Sequence, residues 1–291
     1  MKNYFNYDEY KNIKILVCYY QSWELPKDDI FFPIQAGKAS TNFVLDMQDD
    51  ASGDNISIKN MVFGEFTAWY WAWKNIKDYF PNIEYIGLSH YRRYFCMDKM
   101  YIGVEKNLNY IPLMQNYEHY FIKDLEKNDI ILVKPEKLNC NLRTQYSNWH
   151  NINDYLCIKE IIHEVYPEYD ESFFYIFEKN NKISLYCLFV TKYNIFNNYF
   201  NWLFPLLFEL ERRIDVTTYP DYQKRVIAFL AERLLNVYVF HNKLKVKYRP
   251  IYFICKDKFE IHYRNVKMIY RMIFNIFNSF VYKLFKNREL K

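Results

Sequence analysis

Ile86-Gly87-Leu88-Ser89-His90-Tyr91-Arg92-Arg93-Tyr94-Phe95 decides how this chain reads. The apolar run is a buried strand. It ends in a histidine, a tyrosine and two adjacent arginines. In an open α/β sheet, ligands bind just beyond the carboxyl ends of strands. A guanidinium pair there suits a phosphate or a diphosphate. A solvated basic edge, paired with carboxylates, is the plain alternative.

Upstream, Gly53-Asp54-Asn55-Ile56-Ser57 is a polar turn with Ser57 as a helix N-cap. From there Ile58, Val62, Phe66, Trp69, Tyr70 and Trp73 repeat at helical spacing, which predicts an amphipathic helix of about four turns. Its tryptophans read as core. Asp54, Asn55, Lys59 and Asn60 sit at the entrance, where they would hydrogen-bond a ribose, a base or a sugar. Further back, residues 13–20 form a first buried strand, and residues 31–38 a strand and loop. Gly37 there permits close backbone approach, and Lys38 adds a positive charge.

Downstream, residues 129–135 and 183–190 read as strands, the second fully apolar. Helices are expected around 117–126, 154–165, 193–213 and 221–240. His150 and Asp154 are four apart and share a face if their helix begins early. Arg225 and Glu232 are seven apart on one helix face, with Asp221 one turn ahead. At 266–286, apolar and basic residues segregate to opposite sides of a helix. That pattern fits an interfacial helix on an anionic membrane, or a terminal helix packed on the domain.

Composition narrows the class. The 291 residues suffice for one large domain with a small appendage. A hydrophobic fraction of 51% excludes disorder throughout. Aromatics reach 21%, with 30 Tyr, so a single tyrosine is a weak functional clue. The net charge of +5 is dispersed, 39 basic against 34 acidic residues, and does not point to a nucleic-acid binder. Six scattered cysteines without a Cys-x-x-Cys pair argue for reduced thiols rather than disulfides or zinc. The polar start predicts no secretory signal, and no apolar run reaches membrane-spanning length. Five glycines leave no room for a glycine-rich phosphate loop.

The 86–95 block resembles bacterial capsular and exopolysaccharide glycosyltransferases. Val17-Cys18-Tyr19, residues 33–38, 53–60 and 65–75, and segments at 199–204 and 223–236 share the likeness. This family is described as a domain of unknown function, and some members are galactofuranosyltransferases. The likeness covers about residues 13–240. It departs at Cys187-Leu188-Phe189, where the family has Asn-Met-Phe.

The resemblance implies an α/β fold: a GT-A-like, Rossmann-type mixed sheet flanked by helices, with an amphipathic C-terminal helical tail. Residues 1–255 would be the glycosyltransferase domain and 256–291 a membrane-surface attachment. His90-Tyr91-Arg92 would occupy the place where most GT-A enzymes carry a metal-binding Asp-x-Asp. Arg92 and Arg93 would then neutralise a diphosphate, with no metal and no other cofactor. Tyr19, Gln35, Gly37, Lys38, Asp54, Asn55, Lys59, Asn60, Glu65, Tyr91, Arg92 and Arg93 would bind a nucleotide-sugar donor, UDP-linked. Asp154 and Glu232 are candidate bases, with Asp221 behind them, and His90 would assist by hydrogen bonding or protonation. The donor sugar would be galactofuranose or another hexose. The acceptor would be a lipid-diphosphate-linked capsular or lipopolysaccharide glycan at the inner face of the plasma membrane. A non-catalytic membrane-surface scaffold of polysaccharide assembly is the competing reading.

Overall fold

The computed structural model describes residues 12–97, 104–105 and 117–255. The expected basic tail and the boundary at 255 concern residues outside that set. In chain order the strands are β1 (Ile13–Tyr19), β2 (Phe31–Gln35), β3 (Gln48–Asp49), β4 (Tyr85–His90), β5 (Arg93–Phe95), β6 (Val104–Glu105), β7 (Ile130–Val133), β8 (Glu136–Lys137), β9 (Lys182–Ile183), β10 (Phe189–Lys192), β11 (Val246–Arg249) and β12 (Ile251–Ile254). The helices are α1 (Asn60–Phe63), α2 (Phe66–Tyr79), α3 (Tyr117–Leu125), α4 (Leu142–Ser147), α5 (Ile152–Val165), α6 (Asp170–Phe174), α7 (Tyr193–Arg213) and α8 (Val226–His241).

The main sheet runs β11-β7-β10-β4-β1-β2-β3. β1 is parallel to β2 and β4, and β11 to β7, whereas β10 is antiparallel to β4 and β7. This is a mostly parallel, Rossmann-like mixed sheet with helices on its faces. Strand alternation divides the core. Leu16 and Cys18 of β1 and Ile130 and Leu132 of β7 face α2, α5, α7 and α8. Ile15, Val17, Ile131 and Val133 face the other way, towards α3, β5 and β12. Two-sided burial explains why these strands read as unbroken apolar runs.

Two expected elements break. The helix expected from Ser57 is a 3₁₀ turn and α1, ended by Gly64 at φ 54°, and then α2. Gly64 also packs closely, since a Cβ there would sit 3.2 Å from the Ala228 methyl. The strand expected at 183–190 is split, with Ile183 ending β9 and Phe189 opening β10. Ser184 leaves the sheet to exchange hydrogen bonds with Asn236, and Tyr186 and Cys187 turn with φ of 73° and 49°. The tight β4–β5 hairpin pairs His90 with Arg93, and its backbone is tied to the end of the described chain: Ile254 N–H donates to Arg92 O at 2.9 Å.

Gly87 lets β4 lie between β1 and β10. A Cβ there would meet Ile15 Cδ1 at 2.5 Å and Val190 Cγ2 at 2.9 Å. Gly87→Ala should therefore cost about 1–3 kcal/mol through overpacking. In urea unfolding the midpoint should fall with the slope unchanged.

Candidate functional site

A cleft of about 840 Å³ opens beyond the carboxyl ends of β1, β2 and β4. Cys18, Tyr20, Ala36 and His90 form its floor, and Glu65, at the start of α2, enters from one side. The β4–β5 turn supplies Tyr91, Arg92 and Arg93; the turn ahead of β10 supplies Leu185 and Tyr186; α8 supplies Glu232 and Arg233. The break at Gly64 gives Glu65 its place, because a continuous helix would carry it round with the rest of α1.

Two cleft residues hold the backbone of a third, Tyr186, at both of its polar groups. Tyr186 N–H donates to Glu232 Oε1 at 2.6 Å, and His90 Nε2 lies 3.1 Å from Tyr186 O. A carbonyl only accepts, so His90 carries its proton on Nε2. Burial drives the His90 pKa down to about 4, despite Glu65 nearby. The ring is thus neutral at physiological pH, and its 3.8 Å approach to Glu65 Oε1 is not an ion pair there. Glu232 behaves oppositely: burial raises its pKa, while Arg233 and the Tyr186 N–H pull it back.

Arg225 is bonded to Glu65 at 3.0 Å, and Arg233 to Gln145 at 2.8 Å. Arg92 and Arg93 form no ion pair among the described residues. Arg93 lies over the Tyr186 ring at 4.5 Å, and its buried Nε has no hydrogen-bond partner. Arg92 lies over Tyr91 at 5.3 Å and Trp23 at 5.9 Å. Two cations thus face the cleft without a carboxylate of their own among the described residues, and a buried unpaired guanidinium N–H is costly unless a ligand accepts from it.

Of the sequence-predicted residues, His90, Glu232, Asp221, Asn60, Glu65, Tyr91, Arg92 and Arg93 line the cleft. The others make bonds within the fold, several of them bracing loops. Gln35 clamps residues 43–45 through Phe43 O and Leu45 N, both at 2.8 Å. Gly37 and Lys38 donate backbone N–H groups to buried Asp50 at 2.8 and 3.0 Å. Asp54 accepts from Tyr70, Asn55 bonds Ala51 O and Gly53 O, and Lys59 pairs with Glu211 at 2.7 Å. Tyr19 is buried against Tyr94 and bonds Glu24 O.

Asp154 lies outside the cleft lining and accepts from the Tyr219 hydroxyl at 2.7 Å. The expected His150–Asp154 pairing does not form, because His150 precedes α5 and meets Gln223 at 2.9 Å. Asp221, Arg225 and Glu232 all line the cleft, although the helix expected from 221 begins only at Val226, leaving Asp221 in a turn and Arg225 in a 3₁₀ turn ahead of it. Sequence reasoning missed Tyr186, Gln145 and Arg233. None of the six cysteines, four buried and two half-buried, forms a disulfide. Among the described residues no cluster of three His, Cys, Asp or Glu could hold a metal. No helix there is long and apolar enough to cross a membrane.

A family model described as a domain of unknown function, DUF4422, matches residues 14–243. The chain belongs to this family. Every cleft residue falls within the DUF4422 match. Among solved structures, the apo form of the bifunctional glycosyltransferase WbbM is similar, with a TM-score of 0.77 and 29% identity. The alignment covers 84% of this chain and 45% of that one, so the chain spans less than half of WbbM. No curated protein matches.

The low His90 pKa makes stability depend on pH. Unfolded histidine takes up a proton near pH 6.5, but folded His90 only near pH 4. The unfolded state therefore binds more protons between those values, and His90's contribution is lost as pH falls through them, by an order of 3 kcal/mol. Glu232 has the opposite sign, since its raised pKa favours the folded state at lower pH. The difference between wild type and His90→Gln isolates the histidine. Urea midpoints should fall less steeply from pH 6.5 to 4 in the variant, and equal slopes would show His90 not to be buried neutral.

Proposed function

We propose that the chain is a glycosyltransferase of GT-A-like architecture, moving a sugar from a nucleotide-diphosphate donor to a hydroxyl of a glycan. The observation that carries this reading is the pairing of an unpartnered buried Arg93 Nε with an elevated-pKa Glu232 in one cleft. The similarity to WbbM, itself a bifunctional glycosyltransferase, supports it.

Transfer breaks the bond between the sugar's anomeric carbon and the diphosphate oxygen, which departs with the electron pair. Arg92 and Arg93 stabilise the charge that develops on that oxygen. The acceptor oxygen bonds the anomeric carbon, and its proton passes to Glu232. Glu232 Oε1 is committed to the Tyr186 N–H, so the acceptor proton would pass to Oε2, which lies 3.9 Å from Arg233 Nη1. Base catalysis works best with a pKa near the operating pH, the direction in which burial moves Glu232. Neutral His90 positions the Tyr186 backbone and thereby the Glu232 carboxylate.

The reading extends to a UDP-linked hexose, galactofuranose among the candidates, and to neutralisation of the diphosphate by arginine in place of a divalent metal. A lipid-linked acceptor at the inner membrane face rests on the tail's amino-acid pattern alone.

Glu232→Gln should lower kcat by about 10²–10⁴ with donor affinity retained. Arg93→Ala should weaken nucleotide-diphosphate binding by about 10–100-fold, measured by calorimetry. Full binding by Arg93→Ala, or full turnover by Glu232→Gln, overturns the assignment. Turnover should survive a chelator; loss restored by manganese would show a metal at work.

A further inference from the structure

We propose that the cleft wall formed by the α4–α5 connection and the turn ahead of α8 is the acceptor-sugar subsite, where an uncharged hexose ring stacks its C–H face on Trp149 and Tyr222. The proposal rests on the glycosyl-transfer reading and names where its second substrate lies.

Trp149 is 71% exposed and Tyr222 64%, yet both line the cleft. Rings of that size gain most from burial, so leaving two at one wall of a polar cleft forgoes stability unless a ligand covers them. Neither hangs loose. Gln223 donates its side-chain amide to Trp149 O at 2.8 Å and accepts from His150 Nδ1 at 2.9 Å. One side chain, next in sequence to Tyr222, thus clips both exposed segments together. Behind them, His150 stacks on Phe229 at 4.2 Å, and Tyr222 packs on the same ring at 5.2 Å.

The wall's chemistry favours an uncharged sugar. Its charged neighbours are paired already, Asp221 with Lys224 at 2.8 Å and Arg225 with Glu65 at 3.0 Å. Arg92 and Arg93, which have no ion pair among the described residues, belong to the β4–β5 turn. A diphosphate therefore has a reason to lie against the turn and not against this wall. A nucleotide base has rings on the turn's side too, where Tyr20 packs edge-on against Tyr91 at 5.2 Å. A pyranose presents C–H groups on one face and hydroxyls at its edge. Flat rings meet the first, and Glu232, one turn beyond Phe229 on α8, is placed to meet a hydroxyl of the second.

The test uses the full chain with methyl β-galactopyranoside and methyl β-glucopyranoside as probes, followed by saturation-transfer NMR, and UDP, GDP and dTDP followed by calorimetry. Circular dichroism checks the fold of each variant. At least one glycoside should bind wild type. Trp149→Ala and Tyr222→Ala should each weaken that binding at least fivefold, Trp149→Phe should retain most of it, and nucleotide affinity should stay within twofold. Glycoside binding unchanged in the alanine variants overturns the proposal. So does a wild type that binds a nucleotide but neither glycoside. A tenfold loss of nucleotide affinity in Trp149→Ala assigns the wall to the base and overturns it as well. If no nucleotide binds while glycosides still depend on Trp149 and Tyr222, the subsite stands and the transferase reading falls.

Discussion

The backbone of Tyr186 is gripped at both its N–H and its C=O, and the cleft depends on that grip. Left-handed φ at a tyrosine and at the following cysteine costs on the order of 1–3 kcal/mol each. Such a turn persists only where its surroundings over-determine it. Here a carboxylate takes the N–H and a neutral imidazole meets the C=O. The bonds work in both directions. They hold the turn, and the turn fixes which oxygen of Glu232 and which nitrogen of His90 remain for a ligand.

Burial then sets the charge state of the groups around that turn. His90 packs edge-on to the wholly buried Trp69 at 6.1 Å. Its environment excludes a second proton, and the same desolvation raises Glu232. One apolar sheet face therefore produces a neutral histidine and a more basic carboxylate side by side. Opposed shifts of this kind separate the roles of neighbouring titratable groups.

Much of this frame was legible in the residues. β1, β4 and β7 are apolar runs because both sheet faces are covered, and α7 follows its helical spacing from Tyr193 to Arg213. The His90–Arg93 cluster was legible because charge at a strand end has few structural uses. The 184–188 turn was not, since its partners Glu232 and Asn236 lie about fifty residues away and its own letters are those of a strand. Gln35, Asn55 and Lys59 resembled ligand-binding groups because loops near a cleft need the same hydrogen-bonding side chains to satisfy their own backbones. Trp149 was hidden by the chain's 21% aromatic content. Its place in a short connection between two helices was the available signal.

The bond from Ile254 to Arg92 has a mechanical meaning. β12 pairs with β5 through Phe253 and Arg93, so the segment leading out of the described fold is zipped to the backbone that carries both arginines. A load applied at Ile254 would therefore reach the backbone of both arginines through β12, a short stretch of sheet. A tether there would dictate which way the mouth of the cleft faces, and with it the side from which a long substrate must approach.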